Sequence, residues 1–574
     1  VRAARRTDCR HLTLGNAARA TYRDPVAVLR ILPLGGLGEV GMNCLALEQD
    51  GRVLLVDAGV TFDARGFGLD VVHPDFACLE PYEGRIEGLV LTHGHEDHIG
   101  AVPYLLERFD IPVFGPPYAL ELLRSRRREH EILDDMHAEE LVPGSRRRLG
   151  RFDLEAIRVA HSIADSLAFA FRTAAGTVVH TGDFRFDGTV APTEQLDVAR
   201  FRALGKEGVA LLMSDSTNVQ VESDAVGEGE VADRLESVIA QQRAGVVLGM
   251  FASNTVRMRR LGRIAKATGR RIVPLGRSMV NHLQVARKLG YLPWPEELLW
   301  PADRLGELRR SEWIAVATGT QAEDYSALQR LARDEHHQVR LQGGDTVLMS
   351  SRVIPGHEVQ VTQMIGGFLR QGVEVITAND DALLHASGHA TAPDQRRMIQ
   401  ETMPGAFLPL HGTRLHLEKH ARIAKAEGVR SVVVAEDGEW VRFDGASLRP
   451  DGQEEIGRTW RAHGREVAES LVLERRLLAQ EGLVVAVLHV PAEGASGAQV
   501  VLASRGVFGS PALERDAHYA ARDEVKLALA QASKEGRRKL DPETRESVQR
   551  AVRKAIQRVA GYRPTVHLEV IVSG

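Results

Sequence analysis

Short apolar runs recur along the chain, and each stops at a side chain able to bind a metal or move a proton. RVLLVDAG ends at Asp57, IEGLVLTHGHEDH at a knot of histidines and carboxylates beginning with His93, and LEAIRVAHS at His161. The series continues with TVVHTGD at Asp183, VALLMSD at Asp215, ALLHASGH at His385 and His389, and AFLPLHG at His411. Apolar runs of this length, bounded by Gly, Asp or Ser, predict strands. AVPYLLERF and SVIAQQRA predict helices between them, and a helix is expected to begin near Ile99. The alternation predicts an α/β protein with helices covering sheets. In such folds sites form where loops leave strand ends, so these polar residues are expected to converge on one edge.

Towards the end the pattern changes. The polar stretch around EEIGRTWRAHGREVAES reads as a linker over 453–470, and LVVAVLHV at 483–490 as a strand. DPETRESVQRAVRKAIQRVAG predicts a helix. Asp541 is its cap, Pro542 its first residue and Gly561 its stop, with Val548, Val552, Ile556 and Val559 at helical spacing. TVHLEVIVSG alternates from Val566 to Val572 as a strand does. A small α/β domain over 471–574, without a catalytic constellation, is expected.

Composition narrows the class. At 574 residues, two to four domains are expected, and 44% apolar with 26% charged residues marks a globular chain. No apolar run reaches the roughly 18–20 residues that cross a bilayer, and the opening VRAARRTDCRHLTLGNAARA lacks a secretory core, so a cytoplasmic location without membrane association is expected. The first 25 residues read as an extension rich in Arg and Ala. Cys9, Cys44 and Cys78 have no metal-type spacing and suggest neither a disulfide framework nor a thiolate site. The net charge of -4 gives no bulk attraction for a polyanion, so nucleic acid would need a local patch. RSRRR at 124–128, RRR at 146–148 and VRMRRLGRIAKATGRR at 256–271 are the candidates, each with a solvated helix face as its simpler reading.

The knot LVLTHGHEDHIG at 89–100 carries the chemistry. His93 and His95, one residue apart, can clasp one metal, and Asp97 and His98 can serve a second. Imidazole with carboxylate and no thiolate favours zinc, with manganese the weaker alternative. His161, Asp183 and His411 are expected to complete the coordination, with Asp183 able to bridge. Without cations, so many ionisable groups in one loop would repel or desolvate one another. Two metals about 3.5–4 Å apart lower the pKa of a shared water and clamp a phosphate or carbonyl oxygen, so hydrolysis is expected.

HGHEDH, with Asp57 upstream and His161 and Asp183 downstream, resembles the metallo-β-lactamase fold, a four-layer αββα sandwich. PLGGLGEVGMN at 33–43, SDSTN at 214–218, FASN at 251–254, GRSM at 276–279, HASGHA and PLHG, in that order, resemble the bacterial ribonuclease J family of β-CASP nucleases. The resemblance implies a metallo-β-lactamase domain in two parts, 26–218 and 376–452, a β-CASP α/β domain inserted over 219–375, and a C-terminal dimerisation domain. It implies two zinc ions per chain, one on His93, His95 and His161, the other on Asp97, His98 and His411, bridged by Asp183. His389 and Asp215 would match the proton-transfer pair, and Asp57 the aspartate behind the ligands. The implied activity is 5′→3′ exonucleolysis of single-stranded RNA favouring 5′-monophosphate ends, beside endonucleolysis, by a homodimer or tetramer working with other RNA-decay proteins. Thr413 stands where the family has Glu, and TGTQAED at 318–324 replaces a TGSQGEP-like run.

The remaining polar groups suit that reading. His389 could protonate a departing ribose 3′-oxygen, and Asp97 could orient water as well as ligate. His385, Ser387 and the amides around Gly388 are the equipment of an anion pocket, which His389 borders. Ser253, Asn254 and Arg257 follow a strand at an expected helix start, where free amides favour phosphate, and Arg277 of GRSM joins them as a substrate contact. Two other classes stay open: a DNA nuclease or other hydrolase of this fold, and an RNA-binding scaffold with an inactive site.

Overall fold

The computed structural model describes residues 28–62, 68–354, 356–491, 498–534 and 541–573, so the extension expected over 1–25 lies outside the described residues. The chain divides into two units. One holds Val1–Val60 with Pro74–Ile456, the other Thr61–His73 with Gly457–Gly574.

Two sheets pack face to face in the larger unit. The eight-stranded sheet runs in the order Leu448–Gln453, Glu439–Phe443, Leu29–Gly35, Cys44–Gln49, Arg52–Val56, Ile86–Val90, Val113–Gly115, Ala138–Glu140. The seven-stranded sheet runs Ser431–Val432, Ala406–Leu410, Val209–Asp215, Gly176–His180, Leu167–Thr173, Phe152–Arg158, Arg146–Leu149. Ile31, Leu47 and Leu54 of the first share one buried cluster with Phe169, Phe171 and Met213 of the second. Each such side chain contributes roughly 1.5–3 kcal/mol by leaving water. On the outer face of the second sheet, Ala170, Leu212 and Phe407 pack on Phe201, Met398 and Ala424 from the helices Val198–Glu207, Ala392–Thr402 and Arg414–Ala426. The period-2 alternation of strand side chains separates the two faces: Phe407 meets the helices, and Leu408 meets the opposite sheet. The fold is α/β, with metallo-β-lactamase layers.

Strand Val209–Asp215 pairs in parallel with Ala406–Leu410, Asp215 opposite Leu410. Parallel neighbours need a crossover, and here the crossover carries a sheet of its own. Its five strands, Arg271–Leu275, Trp313–Ala317, Val246–Gly249, Thr346–Met349 and Glu374–Thr377, are parallel throughout. VVLG and WIAVA are buried at every residue, as strands covered on both faces are.

Three expectations need correcting. ALLHASGH is not a strand. Asp381 accepts from Leu383 N and turns Ala382–Leu384 into a 3₁₀ helix, after which HASGH runs as loop. The helix expected near Ile99 is two short ones, Glu96–Ile99 and Val102–Leu106, the second with Pro103 in its first turn. The polar stretch expected as a linker is ordered in the smaller unit. Arg458–Ala462 and Arg465–Val467 form a hairpin that extends a sheet with Val71–Pro74. Its two-residue turn uses His463 and Gly464 at φ +52° and +71°, the left-handed pair such turns demand.

Elsewhere in that unit, Leu483–Pro491 pairs antiparallel with Gln499–Arg505 and parallel with Thr565–Ser573. Val484, Ala486 and Leu488 face Val548, Val552 and Ile556 of helix Pro542–Ala560. Asp541 accepts from Thr544 N at 2.7 Å, and Gly561 ends the helix at φ +84°.

Candidate metal centre

Pairing of Val56 with Val90 in parallel brings Asp57 and the HGHEDH loop to one sheet edge. Asp57 leaves its strand at φ +60° and accepts from Thr92 N and Thr92 Oγ1, both at 2.7 Å, and from His98 Nδ1 at 2.8 Å. Asp57 thus holds the Nδ1 side of His98 and turns Nε2 towards Asp183 Oδ2, 3.3 Å away. Similarly, His93 Nδ1 lies 3.0 Å from Thr92 Oγ1, and its Nε2 lies 3.7 Å from Asp183 Oδ2. The loop is clamped to the backbone, Asn43 N donating to Asp97 O and Ala58 N to His98 O. Gly59 permits that approach, since a Cβ there would stand 1.7 Å from Asp97 O.

The second sheet supplies the rest. Asp183 follows strand Gly176–His180, its loop shaped by Gly182 at φ +56°, whose N–H donates to His180 Nδ1 at 3.0 Å. His161 presents Nε2 at 3.7 Å from Asp183 Oδ2. His411, at φ +58° beyond Ala406–Leu410, presents Nδ1 at 2.9 Å from Asp183 Oδ1. Three groupings result among the described residues: His93, His95, His161 and Asp183; His98, Asp183 and His411; and Asp183, Asp215 and His389, each with ligand atoms within 4.8 Å. Asp97 stands outside them. Its carboxylate is 41% exposed, 3.7 Å from His98 Nε2 and 3.3 Å from Asn43 Nδ2.

The residues fit a divalent cation. Asp183 Oδ1 and His411 Nδ1 are both buried and 2.9 Å apart, yet are not aligned for a hydrogen bond. Nε2 of His93 and Nε2 of His161 both approach His95 Nδ1, at 3.0 and 3.1 Å, where one N–H can serve only one of them. Imidazole nitrogens around a carboxylate, without thiolate, are a donor set of zinc type. Burial, then neighbouring imidazoles, push His93 and His95 well below the ordinary histidine range, and burial first of all takes His161 down to about 4. Neutral imidazole is the form that ligates. Burial works against charge on His98 too, but Asp183, Asp97 and Asp57 hold it well above the ordinary value. Asp183, despite burial, is held well below the usual carboxylate range by His98 and His389.

His389 Nδ1 lies 3.0 Å from Asp215 Oδ2 and 3.7 Å from Asp183 Oδ2. Burial opposes charge on it, but Asp215 and Asp183 bring it up to about 9. Asp215 is steadied by Thr217 N and Thr217 Oγ1 at 2.8 and 2.7 Å. In the HASGH loop, Ser387 Oγ accepts from His389 N at 3.2 Å, and His385 Nδ1 is buried without a hydrogen-bond partner.

The expected phosphate contacts in FASN and beyond are arranged differently. Asn254 does start a helix, Thr255–Ala267, but its Oδ1 caps Arg257 N at 2.9 Å and its Nδ2 donates to Glu228. Arg257 is turned inward, 2% exposed, donating to Glu228 at 2.7 Å and to Ser350 and Ala386 O. The reason is Glu228, 3% exposed, because a buried carboxylate is costly without a cation beside it. Ser253 is half-buried, and Arg277 is exposed at the start of helix Arg277–Lys288. The other basic runs disperse: Arg146, Arg147 and Arg148 line an exposed edge strand, a charge pattern that discourages edge pairing, and Arg126 pairs with Glu96. Thr92, Asn43, His180 and Arg185 were not among the expected site residues. Thr92 and Arg185 sit beside expected ligands in the chain; Asn43 carries no spacing signal, since its partners lie more than 50 positions away.

Family models match three segments: the metallo-beta-lactamase superfamily over 37–210, the ribonuclease J beta-CASP domain over 242–368, and the ribonuclease J C-terminal domain over 470–572. The chain is 36% identical over 484 residues to a ribonuclease J of Synechocystis sp., covering 83% of this chain and 76% of that protein. It is 34% identical over 564 residues to a ribonuclease J of Sinorhizobium meliloti, covering 94% and 96%. A third relative, a ribonuclease J of Mycobacterium tuberculosis, is 36% identical over 489 residues, covering 84% and 87%. Among solved structures, a protein of unknown function from Enterococcus faecalis V583 shares the fold, with a TM-score of 0.53 at 16% identity over 72% of this chain and 100% of that one.

Proposed function

We propose, from the premise that this chain belongs to the ribonuclease J family, that it degrades single-stranded RNA processively from 5′-monophosphate ends and also cuts internally. It is a metal-dependent ribonuclease, a phosphodiester hydrolase. The observation that carries the finer reading is the convergence of five histidines from both sheets on the one buried carboxylate of Asp183, with His389 and Asp215 alongside.

In this reading His93, His95 and His161 hold one zinc ion, His98 and His411 with Asp97 hold the other, and Asp183 serves both; manganese is the alternative metal. When bound, the cations would supply Lewis-acid polarisation of the scissile phosphate and a water of lowered pKa. Asp57 and Thr92 fix the imidazoles so that bare nitrogens face inward. Asp97, the exposed carboxylate of the loop, orients the attacking water. His389, charged against Asp215, gives its proton to the departing 3′-oxygen. Ser387, the amide of Gly388 and His385 receive the terminal phosphate, with Ser253 and Arg277 on its approach. Residues 471–574 pair two chains into a homodimer, or a tetramer, that processes and decays RNA in the cytoplasm with other decay proteins. No described helix is long and apolar enough to cross a membrane.

The test is digestion of single-stranded RNA carrying a 5′-monophosphate, with zinc or manganese supplied. Mononucleotides released from the 5′ end, and their loss in Asp183→Asn and His98→Ala variants that remain folded, are the expected results. Undiminished digestion by those variants overturns the assignment of the centre. Equal rates on 5′-triphosphate and 5′-monophosphate ends overturn the phosphate receptor alone.

A further inference from the structure

His161 is oriented by a backbone carbonyl: its Nδ1 lies 2.7 Å from Gly388 O, 227 positions away in the chain. A carbonyl can only accept, so Nδ1 carries the proton and Nε2 is left bare towards Asp183. The approach requires glycine, because a Cβ on residue 388 would lie 2.7 Å from His161 Cε1 and 3.0 Å from Nδ1. The carbonyl belongs to a loop without strand or helix, so something else must hold it still.

Arg185 does so. Its guanidinium, on a residue 2% exposed, donates to Ser387 O and, at 2.7 Å, to Val226 O, and it pairs with Asp187 at 2.9 Å. Asp187 in turn accepts from Thr189 N and Glu228 N, both at 2.9 Å, so the anchor is itself fixed. Arg185 follows Asp183 by two residues. One strand exit therefore supplies both the shared carboxylate and the clamp on the facing loop.

We propose that Arg185 is a positioning residue of the metal centre: by gripping the Ser387 carbonyl it sets Gly388 O, and through it the tautomer and direction of His161. The proposal rests on the reading of His161 as a ligand given above. Metal affinity then depends on a side chain that touches none of the ligands. Outer partners of this kind typically account for 10- to 100-fold in metal affinity.

The experiment is zinc titration of the full chain against a chromogenic chelator, with thermal unfolding followed in parallel. Arg185→Met is expected to weaken zinc binding by about 10- to 100-fold. Arg185→Lys keeps a cation beside Asp187 but lacks the planar fork that reaches Ser387 and Val226 together, and is expected to lose most of the same affinity. Gly388→Ala, which pushes the carbonyl off His161, should do likewise. Where Arg185→Met fails to fold, these two variants carry the test. In a His161→Ala background, Arg185→Met should cause no further loss, because its effect runs through that imidazole. Wild-type affinity in the folded Arg185 variants, or a full further loss in the His161→Ala background, overturns the proposal. Failure of the wild-type chain to bind zinc overturns the metal-site reading instead.

Discussion

His98 Nδ1 and Asp57 Oδ2 lie 2.8 Å apart, and the same carboxylate takes both donors of Thr92. One left-handed residue at the end of a strand thereby sets which nitrogen of His98 faces Asp183.

Asp57→Asn should keep the fold, since Asn tolerates φ near +60°, yet it can place an N–H donor against His98 Nδ1. That favours the wrong tautomer. Zinc affinity is expected to fall by about 10- to 100-fold. Chelator competition measures it, and unchanged affinity would argue against the orienting role.

Removal of metal should abolish RNA hydrolysis and lower thermal stability together, because the ligating groups sit in a buried cluster whose lone pairs face one another. Prolonged dialysis against chelator, followed by zinc or manganese, should restore both. Activity that survives complete metal removal would contradict the centre.

Arg257→Met should cost about 3–5 kcal/mol of stability by stranding the buried carboxylate of Glu228. The double variant Arg257→Met with Glu228→Gln should recover part of that loss. Urea unfolding checks both. Were the single variant to change 5′-end preference at wild-type stability, Arg257 would instead belong to the phosphate receptor.

His282 gives the acid limb of stability a predicted shape. Burial, then Arg126, takes its pKa down to about 4, and its Nδ1 lies 3.0 Å from Tyr118 Oη. The unfolded chain, with histidine near 6.5, binds the proton more readily than the folded one. The contribution is therefore fully present above about pH 6.5 and is lost as pH falls towards 4, by at most about 1.4 kcal/mol per pH unit. His282→Gln, which keeps a partner for Tyr118, should flatten that part of the profile in urea unfolding between pH 4 and 7.

The chemistry of the centre is local and was legible. H-x-H-x-D-H marks the loop whose three histidines gather at Asp183, although Asp97 stands outside those groupings, and the apolar runs before Asp57, His161, Asp183 and His411 predict the strand tips that bring the other residues there. The Asp541 cap, Pro542 and Gly561 likewise announce a helix through contacts with their own neighbours. The hairpin at His463 and Gly464 was legible in principle, but the polar residues around the turn masked its strands.

What only the tertiary structure decided is where long-range partners lie. Arg257 and Arg146 look alike in the chain, yet one faces a buried Glu228 and the other lines an exposed edge. Asp57 behind His98, Gly388 against His161 and Arg185 beneath Ser387 are likewise set by packing between distant segments. The physical reason is that the histidine–carboxylate knot at 93–98 and the Asp541 cap involve residues a few positions apart. Charge state, tautomer and partner depend on the local dielectric and on groups that meet only once the sheets have packed.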